Sequence, residues 1–404
     1  MLLRAAVVRT PRESAAHPKT VLISGGKMTK ALQLARSFHA AGHRVVLVEM
    51  EKYWLTGHRF SWAVDRFYTV PEPQAAGYAR ALLEIVQKEK VDVYVPVCSP
   101  VASFYDAKAK GVLEPHCEVV HCDPEMVKQL DDKYAFTQLA LSLDLPMPDA
   151  HRITAPQQVS EFAFEDTPYI LKSIPYDPVQ RLDLTKLPRA TPQETAAFAR
   201  SKPISPDKPW IMQAFIAGQE YCTHSTVRDG QVQLHCCCES SAFQVNYERV
   251  DKPEIAAWVE RFVGAFKLTG QVSFDFIQAE DGAVYAIECN PRTHSAITMF
   301  YDHPEVARAY LEDDVPTVTP PESSRPTYWL YHELWRLVTE SGKRGRLETI
   351  LRGKDAIFSL SDPLPFLMVH HLHIPWLLLK NLQAGKDWLR IDFNIGKLIE
   401  VGGD

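Results

Sequence analysis

One stretch limits the folds open to this chain more than any other: residues 271–296, QVSFDFIQAEDGAVYAIECNPRTHSA. Val272, Phe274 and Phe276 alternate with Ser273 and Asp275, the two-residue period of a half-buried strand. Glu280, Asp281 and Gly282 supply a turn, and residues 283–289 read as the returning strand of a hairpin. Glu288 and Asn290 are two apart, so on an extended chain they share a face. A hairpin closed near Asp281 and Gly282 brings Asp275 level with them. Two carboxylates and an amide oxygen at one spot form the hard-oxygen set that Mg²⁺ prefers, leaving its other positions to water and phosphate. Arg292, just past Pro291, adds a planar cation suited to a transferring phosphoryl group. The same pattern also fits an edge hairpin whose acids are simply solvated.

At 404 residues the chain can fill two or three cores. Its formal net charge of −6 argues against nucleic acid as the main partner, because phosphate backbones select basic faces. No run of about 20 apolar residues is present, so no transmembrane segment is expected. Residues 1–18 read as a disordered leader, too short in its apolar run for a secretory signal. Cys236, Cys237 and Cys238 stand in a row, and no C-x-x-C pair occurs. Neighbours on a strand face opposite sides, so that triple cannot converge on one metal. Reduced thiols in a cytoplasmic protein are the economical reading.

Along the chain, residues 19–24 read as a buried strand, followed by the turn Ser24-Gly25-Gly26-Lys27 and a helix over 28–41. Residues 44–50 give a second strand, 77–89 a second helix, and 91–98 a third strand ending beside Ser99. This β-α-β-α-β order predicts an α/β, doubly wound parallel sheet. Such sheets bind ligands at the carboxyl ends of their strands, which puts Ser24, Gly25, Gly26, Lys27 and Ser99 at one edge as candidate substrate-binding residues. Taken alone, the glycine turn fits a tight connection into a helix equally well. A fourth strand over 118–122 leads into a helix expected to carry Asp131, Asp132 and Lys133. Residues 169–173 form a strand with one cation, Lys172, and the 173–181 loop has the length to cover a ligand. Residues 210–216 are another strand, and 221–227 with 232–238 an antiparallel pair. A Pro-rich linker, 316–326, precedes apolar segments, and 365–382 is expected to pack back on the body.

The ordered set Lys133, Lys172, the segment 210–220, Asp275 and Glu288-x-Asn290-Pro291-Arg292 resembles the ATP-grasp superfamily. Within it, SGGKMTKALQLARSFHAAGHRV, VYVPVCSPVASFYD, CTHSTVRDG, AIECNPRTHSAITMFY and IDFNIGKL resemble the cyanobacterial-type mycosporine-glycine synthetases. The resemblance implies an ATP-grasp fold divided as follows: the leader 1–18, a doubly wound N-terminal domain at 19–125, a small α+β lid at 126–215, an antiparallel ATP and metal domain at 216–315, and a helical extension at 316–404. It implies a ligase that uses ATP with Mg²⁺, or Mn²⁺ in its place, to join glycine to 4-deoxygadusol, with a homodimer among the assemblies it allows. Lys133 and Lys172 would hold phosphates, Gln213 with Ala214, Phe215 and Ile216 would read adenine, and Glu220 would bind ribose. Asp275, Glu288 and Asn290 would hold the metal, Arg292 would steady the phosphoryl group, and His224 or His294 would serve as base or hydrogen-bond donor. The chain departs from relatives in a covering loop without glycines and in Gln213, where many carry Glu. Two other readings stand beside this one: a carboxylate–amine ligase working through an acyl phosphate, and a nucleotide-binding sensor without turnover.

Overall fold

A computed structural model describes residues 14–97, 99, 101–175, 180, 183–240, 246–340 and 343–400. Most of the expected leader, and residues 176–179 and 181 of the expected covering loop, lie outside the described residues.

The N-terminal region runs β1 (Thr20–Ile23), α1 (Thr29–Ala40), β2 (Arg44–Met50), β3 (Arg66–Val70), α2 (Tyr78–Glu89), β4 (Val93–Val95), α3 (Ala102–Leu113) and β5 (Glu118–Val119). The strands pair in the order β3-β2-β1-β4-β5, all parallel. Val21, Leu22, Ile23 and the run Val45, Val46, Leu47, Val48 are fully buried, as expected of strands covered on both faces. The β-α-β-α-β expectation needs two corrections. β3 follows β2 without an intervening α-helix, and α3 lies between β4 and β5. β3 is a sheet edge with only Val70 buried, so its sequence RFYTV carries no strong apolar signal. Strand order reverses between β1 and β4, which opens a crevice at their carboxyl ends.

Next come α4 (Pro124–Asp131) and α5 (Lys133–Leu141). The single helix expected through Asp131, Asp132 and Lys133 is in fact broken. Asp132 is extended and caps α5, its Oδ1 accepting from the backbone N–H of Tyr134 and Ala135 at 2.9 and 3.0 Å. Lys133 thus becomes the first residue of a helix rather than the last. A four-stranded antiparallel sheet follows, from β6 (Ala150–Ile153), α6 (Pro156–Ser160), β7 (Tyr169–Ser173), β8 (Lys186–Leu187), α7 (Pro192–Arg200) and β9 (Trp210–Ala214), in the order β6-β9-β7-β8.

The third sheet contains β10 (Gly218–Arg228), β11 (Gln231–Glu239), β12 (Arg249–Val250), β13 (Gly270–Ala279) and β14 (Val284–Asn290), ordered β12-β11-β10-β13-β14 and antiparallel throughout. α8 (Pro253–Ala265) covers one face. Its Trp258 and Phe262 pack with Phe136 of α5 and Phe274 of β13, ring centroids 5.3–6.1 Å apart. Burying each such ring contributes about 1.5–3 kcal/mol. The opposite face carries Glu220, Asp275 and Glu288. The three adjacent cysteines divide as strand geometry requires: Cys236 and Cys238 enter the core shared with the N-terminal sheet, and Cys237 the core under α8. The described cysteines are all buried and free of disulfides.

The C-terminal region is helical with two small sheets. It runs through a 3₁₀ turn (Ser295–Phe300), α9 (Val306–Leu311), β15 (Thr327–Tyr328), α10 (Leu330–Thr339), α11 (Lys343–Arg352), β16 (Lys354–Asp355) and α12 (Leu364–Met368). A π-helical turn (Val369–His373) then joins α13 (Ile374–Gln383) to the hairpin β17 (Trp388–Asp392) and β18 (Lys397–Glu400). The apolar 365–382 segment does pack back on the body: Val369, His373, Ile374 and Leu377 are buried, while Leu367, Leu379 and Leu382 face outward. Asp362 anchors it to the N-terminal region, accepting from Arg36 Nε at 2.9 Å, Ser61 Oγ at 2.6 Å and the Trp62 amide at 3.1 Å. Among the described residues no helix is long and apolar enough to cross a membrane.

Candidate active site

Asp275 and Glu288 are direct partners across the β13–β14 ladder, and Asn290 pairs with Ser273 one step along the same face. Antiparallel register therefore brings the three oxygen donors together, as the alternation and turn in the sequence require. A bulge between Asp275 and Phe276 kinks the strand beside them. Burial, with the facing carboxylates of Glu288 and Glu220, pushes Asp275 well above the usual carboxylate range. Such a site is short of positive charge, and a divalent cation with oxygen preference fits it. Among the described residues no group of three His, Cys, Asp or Glu side chains gathers where it could hold a metal ion, and the candidate set is two carboxylates and the Asn290 amide.

Cations approach from three directions. Lys133, at the start of α5, places Nζ 3.7 Å from Glu288 Oε2. Lys172, on β7, donates to Gln213 Oε1 at 3.4 Å. Loss of hydration lowers its pKa, with Lys133 acting in the same sense, while Glu288, Glu220 and Asp275 oppose the shift. Arg292 donates to Asn290 Oδ1 and lies 3.7 Å from Asp131 Oδ1. Asp131 was not anticipated from sequence as a partner of Arg292. Its closeness to Lys133 was the available signal, hidden because both were assigned to one helix.

The candidate adenine-reading residues span the end of β9 and the residues after it, Gln213 and Ala214 within the strand and Phe215 and Ile216 beyond it. Gln213 is buried, and the amides of Ala214 and Phe215 donate to the carbonyls of Asp149 and Pro168 at 2.8 and 2.7 Å. Ile216 comes next, half-buried. Glu220, on β10, accepts from Ser240 Oγ at 3.3 Å.

His224 and His294 lie deeper. His224 is fully buried, its pKa driven well below the usual imidazole value chiefly by that burial. Its Nδ1 accepts from the His294 amide at 3.3 Å, so the ring proton sits on Nε2, which has no partner among the described residues. Charging this ring is costly, so hydrogen bonding suits it better than proton acceptance. His294 Nδ1 accepts from the Ala296 amide at 3.2 Å, and its ring meets Tyr247 edge-on at 5.4 Å.

The candidate substrate residues gather at the strand-order reversal. Ser24, Gly25, Lys27 and Ser99 line the crevice there, together with Glu49 and Asp106. Gly26 lies behind it, its amide donating to Val48 O at 3.0 Å. Gly25 has φ +68°, and a Cβ there would sit 2.0 Å from Val97 O, so only glycine fits. Lys27 is buried and ion-paired, its Nζ 3.3 Å from Glu49 Oε1 and its amide donating to Glu49 Oε2 at 2.8 Å. Ser24 Oγ accepts from the Val97 amide at 3.2 Å, and Ser99 Oγ from the Ala102 amide at 3.2 Å.

Long-range bonds join this crevice to the β13–β14 hairpin and the segment after it. Lys30 Nζ donates to Thr293 O, Ser103 Oγ to Pro291 O at 2.7 Å, and Gln271 Nε2 to Pro96 O at 2.9 Å. The residues on either side of Arg292 are therefore pinned to α1 and α3, and the start of β13 to the residue that follows β4. Sequence reasoning missed Lys30, Ser103 and Gln271, whose partners are carbonyls 263, 188 and 175 residues away.

A doubly wound domain, a small antiparallel sheet bearing Lys172, and a larger antiparallel sheet bearing paired acids together define the ATP-grasp fold, and this chain has it. It is similar to N5-carboxyaminoimidazole synthetase from Staphylococcus aureus, solved with ADP (TM-score 0.57, 14% identity, 78% of this chain and 82% of that one). Biotin carboxylase from Campylobacter jejuni, an ATP-analogue complex, is similar at TM-score 0.55 and 15% identity over 73% of this chain and 72% of that one. L-amino acid ligase from Bacillus licheniformis is similar at TM-score 0.51 and 15% identity over 72% and 70%. No family model and no curated protein matches the sequence.

Proposed function

We propose that this protein is an ATP-dependent C–N ligase that condenses glycine with 4-deoxygadusol through a phosphorylated intermediate, giving mycosporine-glycine, ADP and phosphate. The observation that carries the ligase reading is the register that sets Asp275 against Glu288, with Lys133 and Lys172 in the same electrostatic cluster. The narrower choice of substrates rests on the sequence resemblance.

A bound divalent ion would neutralise phosphate charge at Asp275, Glu288 and Asn290. The chain's own groups do the rest. Lys133 and Lys172 hold the phosphates, and Arg292 lies where it can balance charge on the moving phosphoryl group. Gln213 and the hinge around Ile216 receive the base, because the Ala214 and Phe215 amides are spent within the sheet. Glu220 takes the ribose hydroxyls. A vinylogous acid oxygen leaves poorly until phosphorylated. The acceptor oxygen takes the terminal phosphoryl group as the bond to ADP breaks; the glycine nitrogen, as free amine, then adds to the ring carbon, a C–N bond forms, the C–O bond breaks, and the departing phosphate carries away the nitrogen's proton. His294 and the Nε2–H of His224 supply hydrogen bonds. The crevice at Ser24, Gly25, Lys27 and Ser99 receives the acceptor. The cytoplasm is the compartment in which buried free thiols and an ATP supply coincide.

The test is incubation with ATP, Mg²⁺, glycine and 4-deoxygadusol, followed by absorbance and ADP release. A red-shifted chromophore formed in step with ADP supports the reading. ADP release only with a carboxylic acid acceptor transfers the protein to the acyl-phosphate class, and nucleotide binding with no turnover on any acceptor makes it a sensor.

A further inference from the structure

The helix that opens the acceptor crevice, α1, starts without a cap of its own. Its preceding residue, Met28, has no side chain that can accept a hydrogen bond there. The missing acceptor comes from the other end of the chain. Asn394, in the turn between β17 and β18, accepts from the Thr29 amide through its backbone carbonyl at 2.8 Å, and the Phe393 carbonyl lies 3.4 Å from Thr29 Oγ1. The side chain of Asn394 reaches the other way, donating from Nδ2 to Ser295 Oγ at 2.7 Å. Ser295 is three residues past Arg292 and next to His294. One residue thus ties the acceptor turn of the N-terminal sheet to the segment that follows the phosphoryl-balancing arginine. Gly396 allows the approach: it has φ +62°, and a Cβ there would lie 2.3 Å from Lys27 O. Apolar contacts seat the turn, since Ile391, Phe393 and Ile395 pack on the main core and Leu398 is buried in it. Trp329 Nε1 donates to Thr29 Oγ1 at 3.0 Å and closes the same corner.

We infer that the β17–β18 turn is a strap that completes the acceptor side of the site, with Asn394 as a positioning residue that fixes the Lys27–Thr29 turn against Ser295. The inference rests on the assignment of the acceptor to the crevice at Ser24, Gly25, Lys27 and Ser99. It requires no contact between the strap and the nucleotide, whose proposed residues lie at the start of α5, on β7, from β9 to β10, and from β13 to Arg292 just past β14. Losing the strap should therefore separate the two substrates kinetically.

The experiment compares the parent chain with Asn394→Ala, Asn394→Asp and Gly396→Ala. Asn394→Ala loses the bond to Ser295, Asn394→Asp keeps an oxygen that Ser295 Oγ–H can reach, and Gly396→Ala pushes the turn off Lys27. Expected is a rise of about tenfold or more in KM for the acceptor in Asn394→Ala and Gly396→Ala, a KM for ATP within about twofold of the parent, and recovery of most of the loss in Asn394→Asp. Amide hydrogen exchange reads the same strap without turnover. Thr29 should exchange at least tenfold faster in Gly396→Ala, while Ile211 and Met212, in the central sheet, keep their parental rates. Unchanged exchange at Thr29 overturns the strap whatever the enzyme does. Equal rises in every KM together with faster exchange everywhere also overturn it, by reducing the turn to a general stabiliser. If the parent turns over no acceptor, the proposed reaction fails, and the exchange result alone decides the strap.

Discussion

Two residues carry the heaviest chemical claims. Glu288 faces Asp275 across the ladder and raises its pKa, so in protein freed of metal its charge is a burden. Glu288→Gln should be at least as stable as the parent after chelation, while only the parent gains thermal stability on adding Mg²⁺ and ADP. Its turnover should fall on the order of 10³-fold. A variant that keeps parental rates, or the parental response to Mg²⁺, defeats the metal assignment. Lys172→Ala removes a cation from among Glu288, Glu220 and Asp275, and nucleotide affinity should drop by roughly 1.5–3 kcal/mol, about 10- to 100-fold in Kd. An unchanged fluorescent-nucleotide titration would contradict the phosphate role. The pairing of Asp275 with Glu288 was legible because strand alternation and a two-residue spacing state directly which side chains share a face, whereas the phosphate role of Lys172 came from the family resemblance alone. Lys30 and Asn394 were not, since a single polar residue bonded to a partner far along the chain leaves no local pattern.

At the scale of elements, the β13–β14 hairpin was the easiest to anticipate, with apolar alternation on both arms and Asp281-Gly282 between. β3 was the hardest among the strands, an edge whose exposed residues need no apolar run. The break at Asp132 shows a second limit. Two acids before a lysine suit a helix interior and an N-cap alike, and only the extended backbone at Asp132 decides. The π-helical turn carries a further consequence. It buries His373 with neither ring nitrogen partnered, near Lys27 and the equally buried His58. Burial drops His373 to about 4 and His58 to about 3, against an ordinary value of 6.5. The unfolded chain therefore binds protons that the folded chain refuses, and stability falls as pH drops from about 6.5 toward 4. His373→Leu, close in volume, should remove about one proton from that slope and raise the melting temperature at pH 5 relative to the parent. Parallel stability-against-pH curves for the two proteins would exclude this role.

Across the whole molecule, the C-terminal extension is held through a few dense anchors. Asp362 gathers Arg36, Ser61 and Trp62, and Gly57 lets the backbone at Val369 come so near that a Cβ would meet its nitrogen at 2.4 Å. Asp362→Ala leaves the Arg36 charge without its carboxylate and should cost about 3–5 kcal/mol. Limited proteolysis should then cut the 316–362 region ahead of the N-terminal sheet, and a cleavage pattern identical to the parent's would show that the anchor is dispensable. The extension's helical character and its packing against the body could be read from its apolar segments, but the Asp362 anchor could not, because an aspartate after a serine looks like any loop. The bond between Thr29 and Asn394 also sets an order of events during synthesis. The nucleotide half has all its named groups once Arg292 has emerged from the ribosome, whereas the first helix waits for its missing acceptor until Asn394 has followed. A nascent chain halted between those two points would carry every residue of the proposed nucleotide site while the Thr29 amide still lacked its acceptor.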